Sequence, residues 1–532
     1  MSRQPGAGSK GRGAKPPVKR QPPPPPPPPR PEFVRPPIPL VIAVVLTAVL
    51  EVLDITIVNV AMPHMLGAFG ATPDQITWVL TSYIVAAAVV MPLTGYLSNW
   101  LGRRRLLLLA ITGFVVSSIA CGLAWNLESM VFFRLAQGVF GAPLVPLSQA
   151  ILLDAFPREK HGQALAIFGL GIMVAPVIGP ALGGWLTEAY SWRMVFYINI
   201  PIGILALVLS VGYLPQRAIK EIRTDWLGMG LLVVAVGALQ FVLDQGQMRD
   251  WFGSKVIVVG AIMAVFTTAA FFLRGWNKPD NIIDLTLLKD RNFVAGTLAI
   301  TLYGISLFGW MAIMPLFTQR LLGYPADVAG TLFIPRGVVS AITLAITGGL
   351  LIRMFDARWL VAAGLILTAV GTLMMAHFNL QVDFWSIASP GMVSGVGTGL
   401  FFVPLTAVAF ASIASAKYDE ASGVYALMRG IGGSAGIAIV SSLFVRQAHI
   451  HFAELTAHIT PYNQEILPYL AERGLTPLSP EAGPAITYEI ARQAQMLAFN
   501  DVFWFIGIVT LAITPVLFFM TRPKSVSLVP AH

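Results

Sequence analysis

Long apolar runs separated by short polar segments cover almost the whole chain after residue 37. A helix needs about 20 mostly apolar residues to cross a bilayer, and fourteen runs approach or exceed that length. The pattern predicts an all-α integral membrane protein with fourteen spans. The expected spans are residues 38–62, 76–97, 105–124, 129–152, 163–187, 194–214, 226–244, 256–274, 293–318, 328–351, 359–378, 386–410, 421–445 and 502–520.

Basic residues mark every second loop between these runs. Arg103, Arg104 and Arg105 follow the second span, whereas the loops after spans one, three and eleven contain no Lys or Arg. Because positively charged loops stay on the cytoplasmic side, we expect a multi-pass inner-membrane protein with both termini in the cytoplasm. The other basic loop residues are Arg158, Lys160, Arg217, Lys220, Arg223, Arg274, Lys278, Lys289, Arg291, Arg353, Arg358, Lys417, Arg522 and Lys524.

Composition excludes several classes of protein. The 532 residues are 56% hydrophobic and 11% charged, whereas soluble domains contain roughly 25% charged residues. The net charge of +9 lies largely in the N-terminal tail and the loops, so it reflects topology and not nucleic-acid binding. The sequence shows no water-facing cluster of His, Asp or Cys at a span boundary and no soluble signalling domain. We therefore expect neither an enzyme nor a sensor, and no cofactor.

Two polar segments stand apart from the spans. Residues 1–37 are rich in Gly, Pro, Lys and Arg, so we expect a disordered, basic, Pro-rich cytoplasmic tail. Residues 446–501 are too polar to span, and their prolines predict several short amphipathic helices outside the membrane. This outer segment is either a docking surface for a partner or a cap. Its histidines, His449, His451 and His458, lack the spacing of zinc ligands, so no metal is predicted.

Two carboxylates, Glu51 and Asp54, lie inside the first apolar run. An ionised carboxylate at that depth costs roughly 2.5–3.5 kcal/mol on insertion scales, so a partner or a function is expected. Asp54 and Arg134, in the fourth span, lie at compatible depths in the same half of the membrane and are expected to pair. Burial penalises an ionised carboxylate and a nearby arginine favours it, so a moving Arg134 would switch Asp54 between proton-loaded and proton-free states.

Three further charges and a set of aromatic residues are candidates for the transport path. Glu51 lies one turn from Asp54 on the same face, and it is interpreted either as a second proton site or as a residue solvated from a cytoplasm-facing cavity. Arg336 and Arg429, in the tenth and thirteenth spans, would either attract an anionic substrate group or pair with carboxylates elsewhere. The aromatic residues that could line an apolar substrate cavity are Trp78, Tyr83, Tyr303, Phe308, Trp310, Phe401 and Phe402.

The fifth span is unusually rich in glycine and proline. Gly179 and Gly183 lie four residues apart, so they form a smooth face that another helix can approach closely. Pro176 and Pro180 remove backbone donors and predict a bent helix. The pattern indicates a tightly packed span.

Four stretches together resemble the major facilitator superfamily, in its fourteen-span drug:proton antiporter branch of the EmrB/QacA type. Leu53–Pro63 resembles the first-span motif, Gly95–Arg104 the loop motif between spans two and three, Phe133–Gly138 the fourth-span motif, and Ala175–Gly184 the antiporter motif. The stretches that resemble the EmrB type most are Gly138–Gln149, Tyr197–Gly203, Asp250–Phe252 and Arg291–Phe293, together with the outer segment.

This resemblance implies the major facilitator fold. Two six-helix bundles are expected at residues 38–214 and 293–522, with a linker at 215–292 that carries two extra spans, and a cytoplasmic tail at 523–532. It also implies that Asp54 couples protons and that Arg134 takes part in proton transfer. The conformational motifs would comprise Gly95, Gly102, Arg103, Arg104, Pro176, Gly179, Pro180, Gly183 and Gly184.

Two positions depart from the family pattern. Asn99 stands where an aspartate is common, so no charge relay is expected there, and Arg103 and Arg104 are then left with a role in topology. Ala175 stands where a glycine is commoner, which should change packing only modestly.

The expected function is proton-driven multidrug efflux of amphiphilic or lipophilic compounds by alternating access, of the kind associated with antibiotic resistance. The resemblance also implies a tripartite pump, in which a membrane-fusion adaptor and an outer-membrane channel are the partners. Export of an endogenous lipid, siderophore or other metabolite, and uptake by symport, remain open alternatives.

Overall fold

The computed structural model describes Ser2 and residues 36–216, 225–276, 281–459, 466–476 and 479–521. These residues form helices and no strand, and fourteen helical segments are long and apolar enough to cross a membrane. The predicted class and the predicted number of spans are confirmed. The segments are α1 (Ile38–Phe69), α2 (Trp78–Leu101), α3 (Arg103–Gly122), α4 (Leu127–Ala155), α5 (Arg158–Ala189), α6 (Met194–Tyr213), α7 (Trp226–Gln245), α8 (Lys255–Gly275), α9 (Arg291–Leu321), α10 (Val328–Met354), α11 (Ala357–Met375), α12 (Phe384–Phe410), α13 (Ser415–Ala457) and α14 (Ala482–Phe519).

The spans form two groups around separate hydrophobic cores. Two clusters of buried apolar side chains lie within residues 38–214, in α1–α6 and their connections, and another lies within α9–α14 and their connections. A further cluster of the second group also includes residues of α4 and α5, so it joins the two bundles. This is the two-bundle architecture that the sequence predicts.

The two inserted spans, α7 and α8, pack against each other and bridge both bundles. α7 contacts α2 in the first bundle and α13 in the second. Thr81 of α2 donates a hydrogen bond to Asp244 of α7, and Gln240 of α7 donates to the hydroxyl of Ser434 of α13 at 2.5 Å. The inserted pair therefore lies along one of the seams between the bundles.

The segment between the last two spans differs from its prediction. α13 continues as one helix to Ala457, and α14 begins at Ala482, so both helices extend well beyond the apolar runs. Only one short helix, Ile466–Glu472, lies between them in the described residues. The prediction of several short helices is wrong because α13 contains no proline up to its end at Ala457, and because Pro484 occupies the first turn of α14, where a helix tolerates proline.

Several predicted features lie outside the described residues. They are most of the 1–37 tail, the basic residues Arg217, Lys220, Arg223, Lys278, Arg522 and Lys524, and the 523–532 tail.

Candidate functional site

Asp54 of α1 is fully buried and accepts hydrogen bonds from three side chains. Arg134 Nη1 lies 2.5 Å from Oδ2, whereas Gln137 Nε2 and Asn199 Nδ2 donate to Oδ1 at 2.9 and 2.8 Å. All three partners are also fully buried. Every member of this charge cluster comes from the first bundle, so Asp54 is neutralised without help from the second.

Secondary structure explains how the partners of Asp54 reach it. Arg134 and Gln137 are three residues apart in α4 and therefore share one helix face, and Arg134 Nη1 also donates to Gln137 Oε1 at 2.8 Å. The side chain of Asn126 caps the N-terminus of this helix by accepting from the amide of Ser129, which fixes where the helix begins. Gln137 lies within the fourth-span motif, Phe133–Gly138, but its contact with Asp54 emerges only from this geometry.

Arg134 is held on its other sides as well. Its Nε donates to the carbonyl oxygen of Val79 at 3.1 Å, and its guanidinium lies 4.3 Å from the ring centroid of Tyr83. Its Nη2 is buried without a hydrogen-bond acceptor. Tyr83 is thus part of the charge cluster and does not line an open cavity.

Asn199 extends the cluster into α6. Its Nδ2 also donates to Ser118 Oγ at 3.0 Å, and that hydroxyl donates to the carbonyl oxygen of Phe196 at 2.8 Å. The sequence did not single out Asn199, although it lies in the stretch Tyr197–Gly203, because its approach to Asp54 depends on the packing of α6 against α1.

Glu51 occupies a different environment from Asp54. It is 5% exposed, and its Oε2 accepts a hydrogen bond from the amide of Val145 at 3.1 Å. That amide is free because α4 is interrupted after Gly141 and resumes at Leu144, so the first turn of the second part has unpaired donors. The charge of Arg429, in α13, also acts on Glu51 at a distance longer than that of an ion pair. Unlike Asp54, Glu51 therefore faces a charge from the other bundle.

The glycines of α5 pack against α1 next to the charge cluster. A Cβ atom on Gly183 would lie 2.9 Å from the carbonyl oxygen of Ile57, which real contacts essentially never allow, and Gly179 faces Thr56 as closely. Gly184 has more room, because a Cβ there would lie 3.8 Å from Val60. The two glycines thus allow α5 to contact the part of α1 that follows Asp54.

Both prolines of this span, Pro176 and Pro180, lie inside α5, which continues as one helix from His161 to Ala189. Their missing amides leave the turn between them with fewer internal hydrogen bonds.

Arg103 connects the two bundles. Its Nη2 lies 2.6 Å from Asp419 Oδ1 of α13, its Nε donates to Oδ2 of the same residue at 3.0 Å, and its Nη1 lies 3.2 Å from Asp154 Oδ2 of α4. Ser98 adds a hydrogen bond to Asp419 at 2.5 Å. The expectation that Arg103 serves topology only is wrong, because its acidic partners come from α4 and α13 and do not depend on Asn99.

The neighbouring residues of this motif have other roles. Arg104 is more exposed and donates to the carbonyl oxygen of Val211, in its own bundle, at 2.6 Å. Gly102 has a φ of 85°, a left-handed conformation that favours glycine, and it turns the chain from α2 into α3. A Cβ on Gly95 would lie 2.6 Å from Glu420 Cα, so α2 and α13 approach closely here. We call this end of the molecule the Arg103 end.

A second contact closes the Arg103 end. Arg158, at the start of α5, donates to the carbonyl oxygens of Ala411 and Ile413 at 3.2 and 3.1 Å. The two bundles are therefore joined at this end by an ion-pair cluster and by side-chain to backbone hydrogen bonds.

The predicted cavity aromatics have varied surroundings. Tyr303 and Phe401 are buried and stack at 4.0 Å between ring centroids, so they belong to the core of the second bundle. Trp310 is 4% exposed and lies under the guanidinium of Arg336. The remaining three are half-buried: Trp78 contacts Phe241, Phe308 packs beside Gly433, and Phe402 packs against the second-bundle core.

An apolar cavity of about 540 Å³ lies between α5 and α10. Its lining is hydrophobic and includes Ile178, Trp185, Ile334 and Val338. Nearer the Arg103 end the same two helices are in close contact, because a Cβ on Gly162 would lie 2.9 Å from Ile352. The seam between the bundles is thus tight near Arg103 and wider at the opposite end.

No group of three or more His, Cys, Asp or Glu side chains in the described residues has the geometry to hold a metal ion. His451 of the outer segment instead contacts Asp501 through Nε2 at 2.7 Å.

Comparison with known proteins identifies relatives over most of the chain. The family model described as Major Facilitator Superfamily matches residues 44–437. Fatty acid resistance protein FarB of Neisseria gonorrhoeae is 35% identical over 90% of this chain and 95% of its own length. Multidrug export protein EmrB of Escherichia coli (strain K12) is 34% identical over 91% of this chain and 95% of its own length. Among solved structures, the human organic anion transporter MFSD10 (TETRAN) superposes with a TM-score of 0.58 at 16% identity, covering 89% of this chain and 99% of that one, which is a likeness of fold.

Proposed function

The chain belongs to the Major Facilitator Superfamily, a family of membrane transporters and not of enzymes, and on that premise we propose that it is a proton-coupled exporter of amphiphilic or lipophilic compounds. Relatives named as a multidrug export protein and a fatty acid resistance protein support the direction and the class of substrate. The observation that carries the proton coupling is the fully buried ion pair of Asp54 and Arg134.

Protonation of Asp54 would remove one charge from a buried pair. Breaking such a pair by losing one partner costs about 3–5 kcal/mol, because the other charge remains desolvated. Arg134 would then keep Gln137, the carbonyl oxygen of Val79 and the ring of Tyr83, and would relax toward them. A single proton thereby changes the packing of α1 against α4.

Glu51 would connect protonation to the relation between the bundles. When ionised, it attracts Arg429 across the interface, and when protonated it loses that attraction. The two carboxylates thus have separate tasks in the proposed cycle: Asp54 changes the first bundle internally, whereas Glu51 changes its attraction to the second.

In the proposed cycle the bundles alternate between two facings around a substrate near the midplane. The Arg103 end is assigned to the cytoplasm, in the inner membrane with both termini inside, because the basic loops lie there. The conformation described is closed at that end by Arg103 and Arg158. Protons from outside would load the carboxylates, and substrate would leave in exchange.

The test is gradient-driven efflux of a fluorescent amphiphilic dye in proteoliposomes with an imposed pH gradient. Asp54→Asn should abolish efflux driven by the gradient and retain dye exchange without a gradient, because the empty and loaded transporter can still alternate. Glu128→Gln, which changes an exposed carboxylate in the first turn of α4, is the matched control and should behave as wild type. Undiminished gradient-driven efflux by Asp54→Asn would exclude Asp54 as the coupling residue.

We further propose that the protein is the inner-membrane part of a tripartite pump with a membrane-fusion adaptor and an outer-membrane channel. The 40 residues from Tyr418 to Ala457 form one helix, about 60 Å long at 1.5 Å per residue, which is twice the thickness of a bilayer core. The outer segment, residues 446–501, carries exposed apolar side chains that offer a contact surface, at Ile450, Leu467 and Tyr488.

Site-specific photo-crosslinking tests this docking. A photoreactive residue in place of Tyr488 should crosslink to a co-expressed adaptor. The same residue in place of Trp359, which is exposed at the start of α11 on the Arg103 end of the molecule, should not. Equal crosslinking at both positions, or at neither, would contradict docking through the outer segment.

A further inference from the structure

Three arginines lie deep in the described spans, and they differ in their acidic neighbours. Arg134 forms an ion pair with Asp54, whereas Arg429 is influenced by the charge of Glu51 without an ion-pair contact between the two described side chains. Arg336, eight residues into α10, has no carboxylate partner among the described residues, and its electrostatic neighbour there is the hydroxyl of Tyr303. With both acids ionised, this set of three cations and two anions therefore keeps one positive charge, and that charge lies on Arg336.

The Arg336 side chain is held in one orientation. Its guanidinium carbon lies 3.7 Å from the ring centroid of Trp310, so one face of the planar group is covered. A Cβ on Gly395 of α12 would lie 2.6 Å from the carbonyl oxygen of Arg336, so α12 approaches closely and fixes the backbone. The residue as a whole is half-buried, yet its Nη1 is buried and has no hydrogen-bond acceptor.

A buried, charged donor without an acceptor is costly, and an anion would relieve that cost. The guanidinium edge matches the two oxygens of a carboxylate, sulfonate or phosphate group, whereas its covered face leaves little room for a neutral ring. The neighbouring side chains are aromatic or aliphatic. The rings of Trp310 and Phe333 pack edge to face with 5.4 Å between their centroids, and Trp310 belongs to a hydrophobic cluster of the second bundle. The surroundings thus suit an anionic headgroup attached to an apolar body.

We propose that Arg336 and Trp310 form a binding site for the anionic headgroup of an amphiphilic substrate. This inference rests on the proposed export function and specifies its substrate class. A bound monoanion brings the charge of the deep residues to zero, so anionic amphiphiles bind more tightly than cationic ones of the same length. The site explains why no carboxylate acts on Arg336 among the described residues, whereas Asp54 pairs with Arg134 and the charge of Glu51 acts on Arg429.

The experiment compares two permanently charged probes with the same chain, dodecanesulfonate and dodecyltrimethylammonium. Their dissociation constants are measured on the full-length protein in nanodiscs of zwitterionic phosphatidylcholine. Arg336→Gln should weaken dodecanesulfonate binding by about tenfold or more, as expected for loss of a charged hydrogen bond, and leave dodecyltrimethylammonium binding equal or tighter. Arg336→Lys, which keeps the charge but not the planar edge, should lie between wild type and Arg336→Gln.

Controls separate this site from a structural role and from a lipid ligand. Arg320→Gln, at an exposed arginine near the end of α9, should bind both probes as wild type does. Repeating the titration with anionic phosphatidylglycerol in the nanodisc tests the second source of the same headgroup: competition with dodecanesulfonate that Arg336→Gln abolishes supports the site. Equal weakening of both probes in Arg336→Gln, or unchanged dodecanesulfonate binding, would overturn the proposal.

An efflux assay distinguishes failure of the headgroup site from failure of the export function. Gradient-driven efflux of dodecyltrimethylammonium by Arg336→Gln in proteoliposomes should persist, because this probe does not need the arginine. If efflux persists and anion binding is independent of Arg336, only the headgroup site is wrong. If wild type shows no gradient-driven efflux of either probe while anion binding depends on Arg336, only the export function is wrong.

Discussion

The contact of Arg103 with Asp419 makes a quantitative prediction about the closed conformation. Arg103 is 7% exposed and forms two close N–O contacts with Asp419 of the other bundle, at 2.6 and 3.0 Å. These contacts exist only while the Arg103 end is closed, whereas the contact with Asp154 stays within the first bundle. Arg103→Gln therefore destabilises the closed conformation relative to the open one.

The magnitude follows from the type of contact removed. A hydrogen bond to a charged group contributes about 1.5–3 kcal/mol. Arg103 forms two such bonds with Asp419, but the partial exposure of Asp419 weakens them, so we use about 3 kcal/mol for the two bonds together. A change of about 3 kcal/mol shifts the ratio of closed to open molecules by about 150-fold, since 1.4 kcal/mol corresponds to a factor of ten.

Distances between spin labels measure that ratio. Labels on cysteines at Trp100 and Ser415, both exposed near the Arg103 end, in a Cys121→Ser background, report the separation of the bundles. Arg103→Gln should move most of the population to longer distances. Arg104→Gln is the matched control, because its arginine contacts only its own bundle through Val211 in the described residues. Identical distance distributions for Arg103→Gln and wild type would refute the assignment of Arg103 as an inter-bundle contact.

Two further predictions concern packing and pH. Gly183→Ala should lower the melting temperature and the transport rate, because its Cβ would meet the carbonyl oxygen of Ile57, whereas Gly184→Ala should change both little. For Asp284, outside the spans, partial burial opposes ionisation, but hydrogen bonds, chiefly from Lys417, outweigh it and hold its pKa below the ordinary 3.8. Its contribution to stability is therefore complete above about pH 5 and lost as the pH falls through the lowered pKa. The difference in melting temperature between wild type and Asp284→Asn should stay constant from neutral pH to about pH 5 and shrink in stronger acid; a difference that grows in acid would contradict this.

Hydrophobic runs alone were sufficient to predict the class of this chain and the number of its spans, because a lipid environment admits few alternatives to spanning helices. The arrangement of those spans in two bundles was not contained in the runs and was expected only from the family resemblance. The ends of the helices were harder to predict. α13 and α14 continue past their apolar runs, since the polar extension of α13 contains no proline and Pro484, in the extension of α14, lies in the first turn. A hydropathy pattern marks where the membrane ends and not where the helix ends.

The candidate site was only partly predictable for a related reason. The pairing of Asp54 with Arg134 could be predicted, because the depth of a residue in the membrane follows from its position along its span. The contacts of Asn199 with Asp54 and of Arg103 with Asp419 depend on which helices are neighbours, and the second of these joins residues 316 positions apart. The amide of Val145, which is buried but has no partner within its own helix, was equally difficult to predict, since it arises from the interruption of α4.

The most direct test of the account is the release of protons when substrate binds. Purified protein in weakly buffered detergent solution, with a pH-sensitive dye, receives dodecyltrimethylammonium at saturating concentration. Wild type should release protons, Glu51→Gln should retain the part that belongs to Asp54, and Asp54→Asn should lose that part. If Asp54→Asn binds the probe and releases as many protons as wild type, the claim that Asp54 couples protons to export is contradicted.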